Sequence, residues 1–298
     1  MSHESIHEMM RKAREGKYAV GYFESWDIAS LQGVLDAAEE TGSPVIVGFS
    51  GDFISRTERA REERLTLYAA LVKSAAASAG VPCATIFNEC PRDEWTLKAI
   101  DCGFDMVMPA GGNGDIKDYL RRTSGIVCRA HAMGVAVEAE LGELPCGGEG
   151  SIDDSCSQVT DPEEAELFVR ETGVDLLAVS IGNVHILSQG RQGLDLARLD
   201  AIRCRVSVPL ALHGGTGIEP ESLREAVARG VAKVNYGTGL KQSWLAAARE
   251  KLQLEISNPH RLLGMGGTED VLEAERRAVY EAVLERLPGL GCIGRAQI

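Results

Sequence analysis

The sequence predicts a single (β/α)8 TIM barrel spanning residues 1–298 as one domain, with an additional helix at its carboxyl end. Three observations predict it. Short apolar or β-branched runs alternate eight times with longer stretches of helical period, within about 240 residues. Polar residues stand at the carboxyl ends of most of these runs, and Gly-rich turns follow the seventh and eighth.

The first strand is expected at Tyr18–Phe23, with a helix from about Asp27 to Thr41. The second strand, Pro44–Phe49, leads through a charged segment to a helix ending near Ala79. Cys83–Phe87 reads as strand three and about Pro91–Cys102 as its helix. Asp105–Met108 is strand four, followed by a Gly-rich turn and a helix through Ala132. Val135–Ala139 is strand five, followed by a long Gly- and Asp-rich loop and a helix over Pro162–Thr172. Leu176–Ser180 and a helix near Leu194–Cys204 form the sixth unit, and Pro209–Leu212 and about Glu219–Arg229 the seventh. Lys233–Tyr236 is strand eight, and a helix opens near Thr238. Past Ser257 a Gly-containing connection leads to an amphipathic helix over Glu269–Leu287, which can pack on its own barrel or on a neighbouring subunit.

Bulk properties narrow the function. The net charge of −13, from 31 basic and 44 acidic residues, argues against a nucleic-acid or anionic-membrane partner but allows a local pocket for one phosphate. Eight cysteines without a CxxC pair, in a chain this long, read as reduced thiols rather than a disulfide framework. The polar, helical amino terminus and the absence of a membrane-length apolar run place the protein in the cytoplasm.

Active sites of such barrels form where the βα loops converge, at the strands' carboxyl ends. There the sequence places Glu24 after strand one, Ser50 after strand two, Asn88 and Glu89 after strand three, and Glu138 and Glu140 on strand five. His185 lies just past strand six, His213 closes strand seven, and Asn235 is on strand eight. His3, His7, His131 and His260 fall in helices or tails and read as structural or solvent-facing. LHGGTG (212–217) and NYGTG (235–239) precede helices, where backbone N–H groups and the helix dipole attract an anion. Gly214, Thr216, Asn235 and Thr238 are the candidate phosphate contacts, in the loops that usually serve that purpose.

These segments resemble the class II, metal-dependent ketose-bisphosphate aldolases, a group including fructose- and tagatose-bisphosphate aldolases. The resemblance covers nearly the whole chain: YAVGYFESWDIASLQGVLDAAEETGSPVIVGFS, VEAELGEL, TDPEEAELFVRETGVDLLAVSIGNVH, PLALHGGTGI, VAKVNYGT and CIGRA follow in family order. It implies a phosphorylated sugar as substrate, a homodimer or homotetramer, and a divalent metal, typically zinc, held by three histidines. That metal would polarise a ketose-phosphate carbonyl and stabilise the enediolate left by C–C cleavage. Two of the three histidines are retained, as His185 and His213. The resemblance further implies a basic residue of the last helix reaching a neighbouring subunit's substrate, with Arg276 and Arg277 as candidates.

The departures concentrate at the site. Where the family carries His-x-Asp-His after strand three, this chain has IFNEC: Ile86 replaces the first His, Asn88 the acid/base Asp, and Glu89 the metal-binding His. Glu24 replaces an Asn, Ile186 a Gly, and the flexible loop reads GGEGS, with Glu149 shifted by one position. A metal set of Glu89, His185 and His213 is harder than three imidazoles, admitting Mn, Fe or Mg beside Zn; Cys90 is an alternative ligand. The Asn88 amide cannot shuttle a proton. Glu24 is the first candidate to take over that role, Glu140 the second and Glu149 the third.

The leading expectation is a metal-dependent aldolase acting on a phosphorylated ketose with non-standard acid/base residues. A sugar or sugar-phosphate isomerase or epimerase on the same scaffold is the alternative, and a non-catalytic sugar-phosphate-binding homologue is a third.

Overall fold

The computed structural model describes residues 4–111, 116–142, 144, 158–184 and 190–296. Eight parallel strands pair in sequence order and close on themselves, with β1 hydrogen-bonded to both β2 and β8. The strands are β1 Val20–Glu24, β2 Val45–Ser50, β3 Cys83–Cys90, β4 Met106–Pro109, β5 Ala136–Leu141, β6 Leu176–Val179, β7 Leu210–Leu212 and β8 Val231–Tyr236. Nearly every strand residue is buried, as expected of a sheet covered by helices outside and filled by side chains inside.

The outer helices are α2 Ile28–Thr41, α4 Leu65–Ser78, α5 Asp93–Cys102, α6 Ile116–His131, α7 Pro162–Thr172, α8 Leu196–Arg205, α9 Pro220–Ala228 and α10 Thr238–Leu252. Their starts follow local chemistry. Asp27 forms a reciprocal capping box with Ser30 on α2, and Asp161 accepts from two amides of α7, whose first residue is Pro162.

Two short helices, α3 Gly51–Ile54 and α11 Pro259–Leu262, interrupt connections that the sequence reads as irregular. The amino-terminal helix α1 Ile6–Gly16 buries Ile6, Met9, Met10 and Ala13. Beside it, α13 Leu287–Leu290 meets the foot of the barrel, where Ala19 N donates to the Leu290 carbonyl at 2.9 Å.

The additional carboxyl helix, α12 Val271–Leu284, packs on α2 and α10 of its own barrel. The approach to α2 is close: a Cβ at Gly33 would lie 2.4 Å from the Arg276 carbonyl oxygen. Arg276 is held there by a two-pronged pair to Asp36, at 2.5 and 2.7 Å, while Arg277 pairs with Glu281 along the helix. Both arginines considered for a neighbour's substrate therefore have partners within the chain. Among the described residues no helix is long and apolar enough to cross a membrane. The described cysteines Cys83, Cys90, Cys102, Cys128, Cys204 and Cys292 are free thiols.

Strand boundaries mostly fall within two residues of expectation, with one informative exception. Strand β3 continues past Phe87 to Cys90, and its register against β4 shifts between Phe87 and Cys90. That irregularity builds one wall of the site.

Candidate active site

In a regular strand, consecutive side chains point to opposite faces. Asn88 and Glu89 nevertheless both line the same pocket at the carboxyl end of the barrel. The backbone explains how. Glu89 adopts φ = +52°, and only it and Lys17 do so among described non-glycine residues. A left-handed non-glycine residue costs about 1–2 kcal/mol, and such strain persists where surrounding contacts enforce it. Here the bulge turns the Glu89 carboxylate towards strand seven. Cys90, the alternative ligand, faces away: its thiol donates to the Arg92 carbonyl at 3.3 Å.

His213 follows β7 and is completely buried. Its Nε2 lies 2.9 Å from Glu138 Oε1, and its Nδ1 stands 3.2 Å from Glu89 Oε1 and 3.1 Å from Glu140 Oε1. Glu138 is equally buried and faces Lys233 Nζ at 2.8 Å. Burial alone would push its pKa up, but Lys233 and His213 outweigh it and hold the carboxyl below its ordinary range. An ionised carboxylate only accepts, so the imidazole donates through Nε2.

That leaves Nδ1 facing two carboxylate oxygens, with no hydrogen bond to a described residue, and Glu140 Oε1 likewise accepts none from one. Burial opposes a charge on His213, yet Glu140, Glu138 and Glu89 raise its basicity well above normal. Three carboxylates, Glu138 fully buried and Glu89 and Glu140 partly so, face one ammonium, so the cluster is short of positive charge by two units around a neutral imidazole and by one around an imidazolium. A divalent cation supplies that charge, and His and carboxylate are suitable donors for it. The donor set is incomplete here: among the described residues no group of three or more His, Cys, Asp or Glu is arranged to hold a metal. His185, the remaining expected ligand, lies outside the described residues, as does Glu149. The chain leading to His185 is fixed nonetheless. Buried Asn183 donates through Nδ2 to the His213 carbonyl at 3.1 Å and accepts from Ile181 N at 2.9 Å.

The anion side lies opposite. Gly214 (φ = +67°) and Thr216 line the pocket from the β7 loop, with Gly237 and Thr238 from the start of α10. No side chain caps α10, and Gly239 N reaches Thr216 Oγ1 only at 3.4 Å, so its first-turn donors are available to a ligand. A Cβ at Gly237 would lie 2.3 Å from Glu24 Oε2, so a side chain there would displace the Glu24 carboxylate. Ser50, at the start of α3, completes this wall of a cavity of about 290 Å³.

Expected site residues therefore divide into groups. Glu89, Glu140 and His213 converge on one point, and Ser50, Asn88, Gly214, Thr216, Asn235 and Thr238 line the cleft above. Glu24 also lines it, but its carboxylate is 2.6 Å from Lys241 Nζ. That ammonium is further fixed 4.1 Å above the Phe53 ring and 5.7 Å from Trp26.

Three participants are not assigned from the sequence. Lys233, fully buried, bridges Glu138 and Asn235, donating to Asn235 Oδ1 at 2.5 Å. Tyr22 lies on the same side of β1 as Glu24, in register with Asn235. Lys241 neutralises Glu24. The signal for the first two is strand parity, since each stands two residues before a recognised site residue. Histidines read as structural behave so where described: His131 Nε2 bonds Asp175 at 2.9 Å at the barrel's other end.

Comparison with known proteins gives a consistent result. The family model for class-II fructose-bisphosphate aldolase matches residues 4–295. A fructose-bisphosphate aldolase of Thermus caldophilus is 35% identical, over 97% of this chain and 98% of that protein. A 6-phospho-5-dehydro-2-deoxy-D-gluconate aldolase of Halalkalibacterium halodurans is 32% identical, over 93% of this chain and 95% of its own length. The crystal structure of the YdjI aldolase from Escherichia coli K12 superposes with a TM-score of 0.81 at 31% identity, covering both chains fully.

Proposed function

Because the chain belongs to the class II fructose-bisphosphate aldolase family, we propose that it is a metal-dependent lyase that cleaves or forms a C–C bond of a phosphorylated ketose, with its proton-transfer group relocated. The observation that carries this reading is the convergence of His213 Nδ1, Glu89 and Glu140 on one point. Class II membership implies a divalent metal. Glu89, His185 and His213 are the residues that would hold it, zinc first, with Mn, Fe or Mg admitted by the carboxylate. When bound, such an ion stabilises negative charge on the carbonyl oxygen of a ketose as the C–C bond breaks.

The rest is the work of side chains. Gly214, Thr216 and Thr238 at the α10 dipole bind the phosphate and orient the chain of the sugar towards His213. Glu138 fixes the imidazole tautomer and ring plane, and Lys233 keeps Glu138 ionised. Asn88 offers a hydrogen bond but no proton. Cleavage requires a base to take the hydroxyl proton on the carbon beyond the breaking bond, while the bonding electrons move towards the carbonyl. We assign that base to Glu140, whose Oε1 accepts no hydrogen bond from a described residue, rather than to Glu24, whose charge is matched by Lys241.

Release of a three-carbon fragment from ketose phosphates tests the activity, since a same-mass isomer would instead identify an isomerase. Between the two carboxylates, Glu140→Gln should lower kcat by about 100-fold or more with zinc content retained, and Glu24→Gln should change it less than tenfold. The reverse pattern would return the proton transfer to Glu24.

A further inference from the structure

The floor of the cleft holds polar atoms for which the described residues supply no hydrogen-bond partner. Tyr22 is buried, lines the cleft, and its hydroxyl makes no hydrogen bond to a described residue. Asn235 Nδ2 and Asn88 Oδ1 are likewise buried and unpartnered. The orientation of the Asn235 amide is unambiguous, because an ammonium only donates: Lys233 Nζ takes Oδ1, which turns the NH2 group outward. Tyr22 and Asn235 are register partners across β1 and β8, so their free donors are neighbours. The phenol ring is also fixed, with Lys233 Nζ 5.2 Å from its centroid.

Burying a polar group without a partner costs about 1–3 kcal/mol. A fold that leaves a phenol hydroxyl, an amide NH2 and an amide oxygen unsatisfied around one cavity is therefore matched to a ligand carrying both hydroxyl donors and oxygen acceptors. Burial, with the charges of Glu24, Glu89 and Glu138 adding to it, raises the phenol's pKa well above normal. The group is thus a hydrogen-bond donor and not a base.

We propose that Tyr22 is a substrate-contacting residue: its hydroxyl, beside the Asn235 amide nitrogen, donates to an oxygen of the ketose chain, while Asn88 Oδ1 accepts from an adjacent hydroxyl. This rests on the ketose-phosphate reading and specifies how the unphosphorylated part of the substrate is recognised. It also gives Asn88 a role that needs no titration: the residue that cannot move a proton reads a hydroxyl.

Tyr22→Phe removes one oxygen and retains the ring that faces Lys233. Dihydroxyacetone phosphate and inorganic phosphate serve as probes, with affinities measured by calorimetry and the tyrosine ultraviolet difference spectrum recorded on binding. The variant should bind dihydroxyacetone phosphate about tenfold more weakly, bind inorganic phosphate as before, and lose the difference spectrum. On a cleavable ketose phosphate its kcat should fall by about 100-fold. Equal affinity of both proteins for dihydroxyacetone phosphate would overturn the proposal. So would a parallel loss of phosphate affinity, since Tyr22 would then merely shape the cleft. Failure of the aldolase reading looks different: the wild type would release no three-carbon fragment from any ketose phosphate, yet its dependence on Tyr22 for binding the ketone probe would persist.

Discussion

Glu89 shows how much one residue's backbone can contribute to a site. Its left-handed φ puts two consecutive side chains into one cavity, at a conformational cost that glycine would not bear. Glu89→Gly should therefore raise the stability of the metal-free protein by about 1 kcal/mol while lowering its affinity for zinc. Chemical denaturation of the stripped protein and a competitive zinc titration read the two effects separately. Nothing local in IFNEC announces this conformation. Composition there indicates an altered site, whereas the bulge follows from how β3 pairs with β4. The Glu24–Lys241 pair was hidden for a related reason: it joins the first strand to the last helix of the barrel proper, and no periodicity connects positions so far apart.

At the scale of elements, alternation and turn chemistry were readable, because each βα unit carries its own apolar face and α2, α7 and α8 carry their own caps. The placement of α12 was not, since an amphipathic face states that something covers it without saying what. Its seat on α2 has a titratable flaw. Glu275 is buried, and burial, then Asp27 and Asp270, push its pKa up to about 7. An acid whose pKa is raised on folding holds its proton more tightly in the native state. The stability linked to neutral Glu275 is present below about pH 4.5 and is lost as pH rises through about 7. Glu275→Gln should match the wild type's Tm near pH 4.5 and exceed it at pH 8 by a few degrees, about the shift that 1–2 kcal/mol produces. A melting series across that interval checks both the sign and the window; a Tm difference independent of pH would show that Glu275 does not titrate there.

For the molecule as a whole, the cation-deficient cluster under the cleft ties stability to metal loading. Removing the ion should leave three carboxylates against one ammonium around His213. Stripped protein should melt at a lower temperature, and zinc at about 100 times its Kd should restore about 2.7 kcal/mol. Calorimetric melts over a zinc series check this, with no dependence on zinc as the adverse result. Both the fold class and the barrel end that carries the site could be read from the chain, since strand order and loop chemistry are properties of contiguous sequence. What lies beneath the cleft could not: Lys233 resembles any strand lysine until the closed sheet places it opposite Glu138.

The bond from Ala19 to the Leu290 carbonyl has a consequence for how the protein is made. The amide at the foot of the first strand waits almost the whole length of the chain for its acceptor, and β1 waits nearly as long for β8. Long-range closure of this kind is slow, because the entropy of a large loop is lost before any contact rewards it. During synthesis the seven earlier strands can pair side by side as an open sheet, but both of its edges stay bare until β8 emerges. A nascent barrel of this design passes through its most aggregation-prone form just before it is complete.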